Sequence, residues 1–394
     1  MTRRRVPSLA AALLIIAFFA GCTAEAPEPS PEPPAPVVGE TPIPIDAPSP
    51  RFAADCEALA PLAQLQAFVG SGVGALRAVD RRASLAPDQA ALDQLGGLMC
   101  DWDDGQAWPA WQGPPEGRQT VRLHLVRDGA EAAQTYVDTY AAEIGTSAYG
   151  PTASGPRCTG VEYDSPSGYC HFDAWLSNAW IELSVSGIVL DDFASDGEAV
   201  AAFTVLTDRI VETLAAEPSP SAAWTAPVSA STATDCEHLA SIDDVQTITG
   251  NAETWFGLYW DGPRIGQYSF ATAAVGALSC AIGFAESEGS LGAVSYLPGG
   301  DWAFATLGDD WAAQGGVVTP IAGLGDGDAV LRCSDPLDDC VLDLRVDRHW
   351  VRISIMPAPP ETVTYVPESI DFEAARAAVV PLAEKIVANL LATA

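Results

Sequence analysis

Asp55-Cys56-Glu57-Ala58-Leu59-Ala60-Pro61-Leu62-Ala63-Gln64-Leu65-Gln66-Ala67-Phe68-Val69-Gly70 returns 180 residues later as Asp235-Cys236-Glu237-His238-Leu239-Ala240-Ser241-Ile242-Asp243-Asp244-Val245-Gln246-Thr247-Ile248-Thr249-Gly250. Each copy reads as a helix: an Asp at the N-cap, an acid in the first turn, apolar residues on one face, and a glycine to end it. Leu59, Leu62, Leu65 and Phe68 of the first copy align with Leu239, Ile242, Val245 and Ile248 of the second. Cys100 and Cys280 keep the same offset. Fixed spacing of this kind is the signature of an internal repeat, which must be found before any fold is read.

Working outward, Trp180-Ile181-Glu182-Leu183-Ser184-Val185 matches Trp350-Val351-Arg352-Ile353-Ser354-Ile355, and both alternate as half-buried strands. Helices close each copy, with Phe203, Leu206, Ile210 and Leu214 matching Val379, Leu382, Ile386 and Leu390. Between them, Thr120–Val126 reads as a strand and Ala130–Ile144 as a helix. In the second copy a strand near Ala293–Tyr296 and a helix around Trp302–Gln314 take those places. The order helix, strands, helix, strands, helix predicts an α+β fold: two tandem copies of an antiparallel sheet with helices packed on one face. The modules span 51–216 and 235–394, with a Pro/Ser/Ala/Thr-rich linker at 217–234.

Ahead of the modules, 1–22 reads as a signal peptide, with Arg3, Arg4 and Arg5 before an apolar run from Ser8 to Phe19. That run of about a dozen residues is too short to span a bilayer, which needs about 20. Phe19-Ala20-Gly21-Cys22 resembles a bacterial lipobox, which implies that Cys22 carries a lipid and becomes the mature N-terminus. From 23 to 50 the chain holds ten prolines among scattered acids and reads as an extended tether, reaching about 80 Å at about 3.1 Å per residue. The expected location is the extracytoplasmic face of the cell membrane.

Of nine cysteines, eight remain once Cys22 is assigned to lipid, four to a module. In an exported chain an even, repeated set implies disulfides. Each module allows three pairings. The favoured set is Cys56–Cys100 with Cys158–Cys170, and Cys236–Cys280 with Cys333–Cys340, because each close pair flanks a loop before the same strand. No Cys-x-x-Cys spacing supports zinc.

The lipobox, the Pro-rich tether, the Cys-Glu-x-Leu helix ending in glycine, the strand at Cys100-Asp101-Trp102 and the Gly323-Leu324-Gly325-Asp326 turn together resemble secreted lipoproteins of high-GC Gram-positive bacteria that carry small domains of unknown function. The second module departs at Ile282, which stands where the first has Trp102, and the first lacks the glycine-aspartate turn. The resemblance implies PsbP-like or sensor-like α+β modules, an envelope location and no particular reaction.

The formal net charge of −33 argues against nucleic acid as a partner, because phosphate binding needs a basic surface. Lys385 is the only lysine, and no nucleophile elbow, Walker loop, zinc-protease or Ser-x-x-Lys motif occurs. No enzyme activity, cofactor or metal is therefore expected. His124, His171, His238 and His349 read as surface or capping histidines. Asp101, Asp103 and Asp104 read as a solvated group, as do Asp326, Asp328, Asp335, Asp338 and Asp339, whose spacing is not that of an EF-hand.

The sharpest difference between the copies is aromatic. Trp255, Phe256, Tyr259, Trp260, Tyr268 and Phe270 occupy a stretch where the first module has Arg77, Arg81 and Arg82 instead. Such rings line a groove for a small apolar or glycan ligand, or else pack in a core or between modules. The expected function is a lipid-anchored binding or sensor protein for a small envelope molecule, with a protein-protein interaction module of the envelope as the alternative.

Overall fold

The computed structural model describes residues 47–70, 74–79, 85–106, 117–144, 147, 149–159, 168–189, 192–229, 231–258, 266–284, 290–313, 317–326, 329–334, 339–355 and 377–392. All of them fall within one unit, Ile45–Ala394. The signal segment, Cys22 and most of the proposed tether lie outside the described residues.

The N-terminal segment of each module is two elements. In the first, Asp55 caps a single turn, α1 (Cys56–Leu59), by accepting from the Ala58 N–H, and Pro61 restarts the chain as α2 (Leu62–Val69). In the second, Asp235 caps α6 (Cys236–Leu239) in the same way. Ser241 and Asp244 then form a reciprocal capping box on α7 (Ile242–Thr249), which ends at Gly250 in the left-handed region. The single long helix expected from the pattern is thus broken, because Pro61 lacks an N–H and Ser241 offers the backbone a competing cap.

The first sheet comprises β1 (Arg77–Ala78), β2 (Leu98–Asp103), β3 (Thr120–Val126), β4 (Ala153–Thr159), β5 (Gly168–Leu176) and β6 (Ala179–Ile188), in the order β1-β2-β3-β6-β5-β4 with every pair antiparallel. The second comprises β7 (Thr254–Leu258), β8 (Leu278–Phe284), β9 (Ser290–Leu297), β10 (Val317–Ile321), β11 (Ala329–Ser334), β12 (Asp339–Val346) and β13 (His349–Ile355). Its order, β7-β8-β9-β13-β12-β11-β10, repeats that of the first with one strand added at the end. The remaining helices are α3 (Pro87–Gln94), α4 (Ala130–Ile144), α5 (Asp196–Ala215), α8 (Gln267–Val275), α9 (Asp301–Ala313) and α10 (Val379–Ala392).

Period-two alternation assigns the inner faces. Val121, Leu123 and Leu125 of β3 and Ile181, Leu183 and Val185 of β6 bury against α2 and α5, where Phe68 stacks on Phe203 at 5.5 Å. In the second module Val351 and Ile353 of β13 bury with Leu382, Ile386 and Leu390 of α10.

The outer faces are also covered, which corrects the expectation of helices on one face only. Trp180 and Trp350 sit at matching positions on what alternation makes the polar side, yet both are fully buried. They belong to a third core shared by the modules, with Leu92 and Ala91 of α3, Ala271 of α8, Val126, Leu297 and Leu307. Two buried glutamines tie the layer together. Gln267 donates to the carbonyls of His124 (3.1 Å) and Trp180 (3.0 Å), and Gln94 donates to those of Pro298 (3.1 Å) and Gly299 (3.2 Å). Gly129 allows a close approach here, since a Cβ would stand 3.2 Å from the Phe270 ring and 3.3 Å from Trp180 and the rings would have to give by a few tenths of an ångström.

Three disulfides are present among the described residues: Cys56–Cys100, Cys158–Cys170 and Cys236–Cys280. Two per module is therefore too fine a description. Cys333 and Cys340 stand directly opposite each other on β11 and β12, but their side chains lie outside the described residues. The 217–234 segment packs onto its surroundings: Ser231 is buried beside His349, and Ala233 joins the second core.

Candidate binding site on the outer face of the first sheet

Strand alternation gathers ionisable side chains on the outer face of the first sheet. One cross-strand row runs Met99, His124, Glu182, Asp173, and the next runs Asp101, Arg122, Ser184, His171, Arg157. Tyr136 of α4 covers one side of these rows, and Tyr268 of α8, from the other module, covers the opposite side. Its ring meets His124 edge-on at 5.3 Å.

Asp173 is fully buried and accepts from His171 Nε2, whose Nδ1 lies 2.9 Å from the Tyr169 hydroxyl. Asp173 Oδ1 has no hydrogen-bond partner among the described residues. Directly opposite, burial and then the Asp173 carboxylate push the Glu182 carboxyl above its ordinary range, and His124, His171 and Arg122 only partly offset them. Burial likewise raises the Tyr136 and Tyr169 phenols.

The second sheet solves the same position differently. Asp343, the register equivalent of Asp173, accepts from Trp350 Nε1 (2.7 Å), Arg352 Nε (2.7 Å) and Arg332 Nη2 (2.8 Å). Arg352 stands where the first sheet has Glu182, so the second sheet neutralises its buried aspartate with guanidinium groups while the first sets two carboxyls side by side.

At the β2–β3 end of these rows is a cavity of about 210 Å³. Asp101 and Asp103 of β2, Thr120 and Arg122 of β3, Arg118 and Val79 form its floor, and Gln89 of α3 and Tyr268 of α8 line it above. Asp103 is engaged by Arg118 (2.9 Å) and Arg77 (3.3 Å). Asp101 meets His124 Nε2 at 3.2 Å and Arg122 Nε at 3.9 Å. Behind the floor, burial works to raise the Asp104 carboxyl, but N–H donors of Gln119 (2.9 Å) and Gln106 (3.0 Å) overcome it and hold the group below its usual range.

Of the aromatic residues proposed from sequence, the four that are described do not share one surface. Tyr268 lines the cavity, and Phe270 packs against Trp180 at 6.2 Å in the inter-module core. Trp255 and Phe256 lie on the edge strand β7, with Phe256 against the second core. Tyr259 and Trp260 lie outside the described residues, as do Arg81, Arg82, Asp328, Asp335 and Asp338. Arg77 is on β1, paired to Asp103.

Three histidines are buried, which corrects their reading as surface groups: His124, His171 and His349 are 2%, 6% and 1% exposed, whereas His238 lies on an exposed turn beside Asp235. Asp101 and Asp103 likewise belong to the cavity floor and not to a solvated cluster. Sequence reasoning missed Gln89 and Arg122 as site residues. Trp180 and Trp350 on the polar phase of their strands were the available signal that another layer covers that face. Among the described residues no group of three His, Cys, Asp or Glu side chains is placed to hold a metal ion, and no helix is long and apolar enough to cross a membrane. Comparison with protein-family models, curated proteins and solved structures finds no match.

Proposed function

We propose that this chain is a lipid-anchored protein of the extracytoplasmic membrane face that binds a small molecule non-enzymatically in the cavity between its two modules. The observation that carries the reading is that the cavity has a polar floor from one module and an aromatic wall, Tyr268, from the other. Concave sites with a few convergent polar groups, placed where two modules meet, are where small ligands bind. At about 210 Å³ the space lies below the ~300–1,000 Å³ usual for drug-sized ligands, so the guest is small.

The disulfides support an oxidising compartment. The lipobox-like Cys22 and the Pro-rich stretch after it supply the anchor and the tether. We further read the modules as duplicated copies, on the support of their common strand order and the 44-residue separation in both Cys56–Cys100 and Cys236–Cys280. Cys333–Cys340 is read as the fourth disulfide because the two residues are cross-strand partners.

The test is thermal unfolding of the protein against a panel of envelope lipids, glycans and small polar metabolites. A ligand of the folded state raises the midpoint by mass action. The reading requires a shift that Tyr268→Ala abolishes. Shifts that survive this substitution place the site elsewhere, and none with any ligand turns the search to protein partners.

A further inference from the structure

The hydrogen-bond groups around the cavity are not equally engaged. Asp103 spends Oδ1 on Arg77 Nε (3.3 Å) and Gly105 N (2.9 Å), and Oδ2 on Arg118 (2.9 Å). Asp101 is drawn to His124, and the Thr120 hydroxyl lies 2.6 Å from that of Ser186. The floor's acceptors are thus largely taken.

The donors are not. Arg122 has a side chain 63% exposed, and its one contact among the described residues is the 3.9 Å approach to Asp101. Gln89 uses only its carbonyl, accepting from Ala86 N at 3.3 Å, which leaves its NH2 group without a partner among the described residues. A guanidinium and a carboxamide NH2 facing one space match a planar acceptor of single negative charge.

Resting on the reading of this cavity as the binding site, we propose that its ligand is a small monocarboxylate, held at its carboxylate by Arg122 and Gln89 with its apolar body against Tyr268 and Val79. A cation would have to compete with Arg118, Arg77, Arg122 and His124 for the Asp103 and Asp101 carboxylates. A dianion such as phosphate would face Asp101 and Asp103 with Arg122, itself loosely paired to Asp101, to hold it. A sugar needs acceptors as well as donors for its hydroxyls, and the acceptors of the floor are largely taken.

The experiment is calorimetric titration of the full-length protein in detergent with benzoate and hexanoate, beside benzamide, benzylamine, glucose and inorganic phosphate. The expected result is binding of a carboxylate probe and not of its amide. Arg122→Ala should weaken it about 10- to 100-fold, as for a lost charge-assisted hydrogen bond, with Arg122→Lys between and the melting midpoint unchanged. Binding of benzamide, benzylamine or glucose in preference, lost in Tyr268→Ala, overturns the ligand class and leaves the cavity reading intact. Carboxylate binding unaffected by Arg122→Ala overturns the proposal. Failure of every probe at millimolar concentration, with no thermal shift from the wider panel, overturns both.

Discussion

Glu182→Gln should stabilise this protein at neutral pH, against the usual direction for a substitution at a half-buried position. Glu182 stands in register with Asp173 on the neighbouring strand, and burial together with that carboxylate raises its pKa. A carboxyl whose folded pKa lies above its unfolded value binds more protons folded than unfolded. Its penalty is absent below the unfolded pKa of about 4.3 and grows as pH rises through the folded pKa. Like charges directly opposite on adjacent strands cost ~0.2–1 kcal/mol, and the full burial of Asp173 places this pair at the upper end. Glutamine keeps the shape and removes the charge, so the variant should gain about 1 kcal/mol at pH 7.5 and nothing at pH 4. The assay is denaturant unfolding of both proteins at several pH values, compared by midpoint at constant slope. A variant less stable than the parent at pH 7.5 would refute the reasoning, because it would mean that the charged Glu182 carboxylate is a net favourable partner for its neighbours. A gain that persists unchanged to pH 4 would refute it equally.

Asp104→Asn should cost ~1–3 kcal/mol at neutral pH, since the carboxylate accepts three hydrogen bonds from Gln106 and Gln119. Because the folded pKa is depressed, the parent's advantage should vanish as pH falls from the unfolded value of about 3.9 through the folded one, readable in acid unfolding curves. Ala271→Leu, at a fully buried position facing the other module, should overpack the shared core and destabilise by ~1–3 kcal/mol by the same assay, with the loss felt in both modules. Replacing Cys56 and Cys100 together by serine should cost about 4 kcal/mol by the chain-entropy argument for a loop closed over 44 residues. Non-reducing peptide mapping should find Cys333 joined to Cys340 and an acylated N-terminus at Cys22; a free thiol at either of the first two would remove the fourth disulfide.

What was legible in the sequence follows from how strongly each signal is local. The Asp55 and Asp235 caps, the alternation around Trp180 and Trp350, and the 15-residue helix Ala130–Ile144 are set by nearest-neighbour chemistry, and each stands where the pattern puts it. Helices α3 and α8 were not legible. They bury small residues such as Ala90, Ala91 and Ala271 against one another, so no wide apolar stripe marks them. Without them the outer face of the first sheet looks solvated, and His124, Asp173 and Glu182 pass for ordinary polar positions. The cavity combines residues 79 to 268, and no local pattern joins Gln89 and Arg122 to Tyr268. One trace was present: a tryptophan shares the strand phase of Glu182 and Ser184, where a solvent-facing strand would carry a polar residue.

The central claim is that a small molecule sits between the modules on the floor of the first sheet. The most direct measurement is an NMR titration following arginine Nε–Hε and glutamine side-chain amide signals while a ligand found by thermal shift is added. The account predicts that Arg122 and Gln89 move and saturate together, while Arg127, which is committed to Glu217 at 2.6 Å, stays in place. Saturating shifts confined to other residues, with Arg122 and Gln89 unmoved, would contradict it.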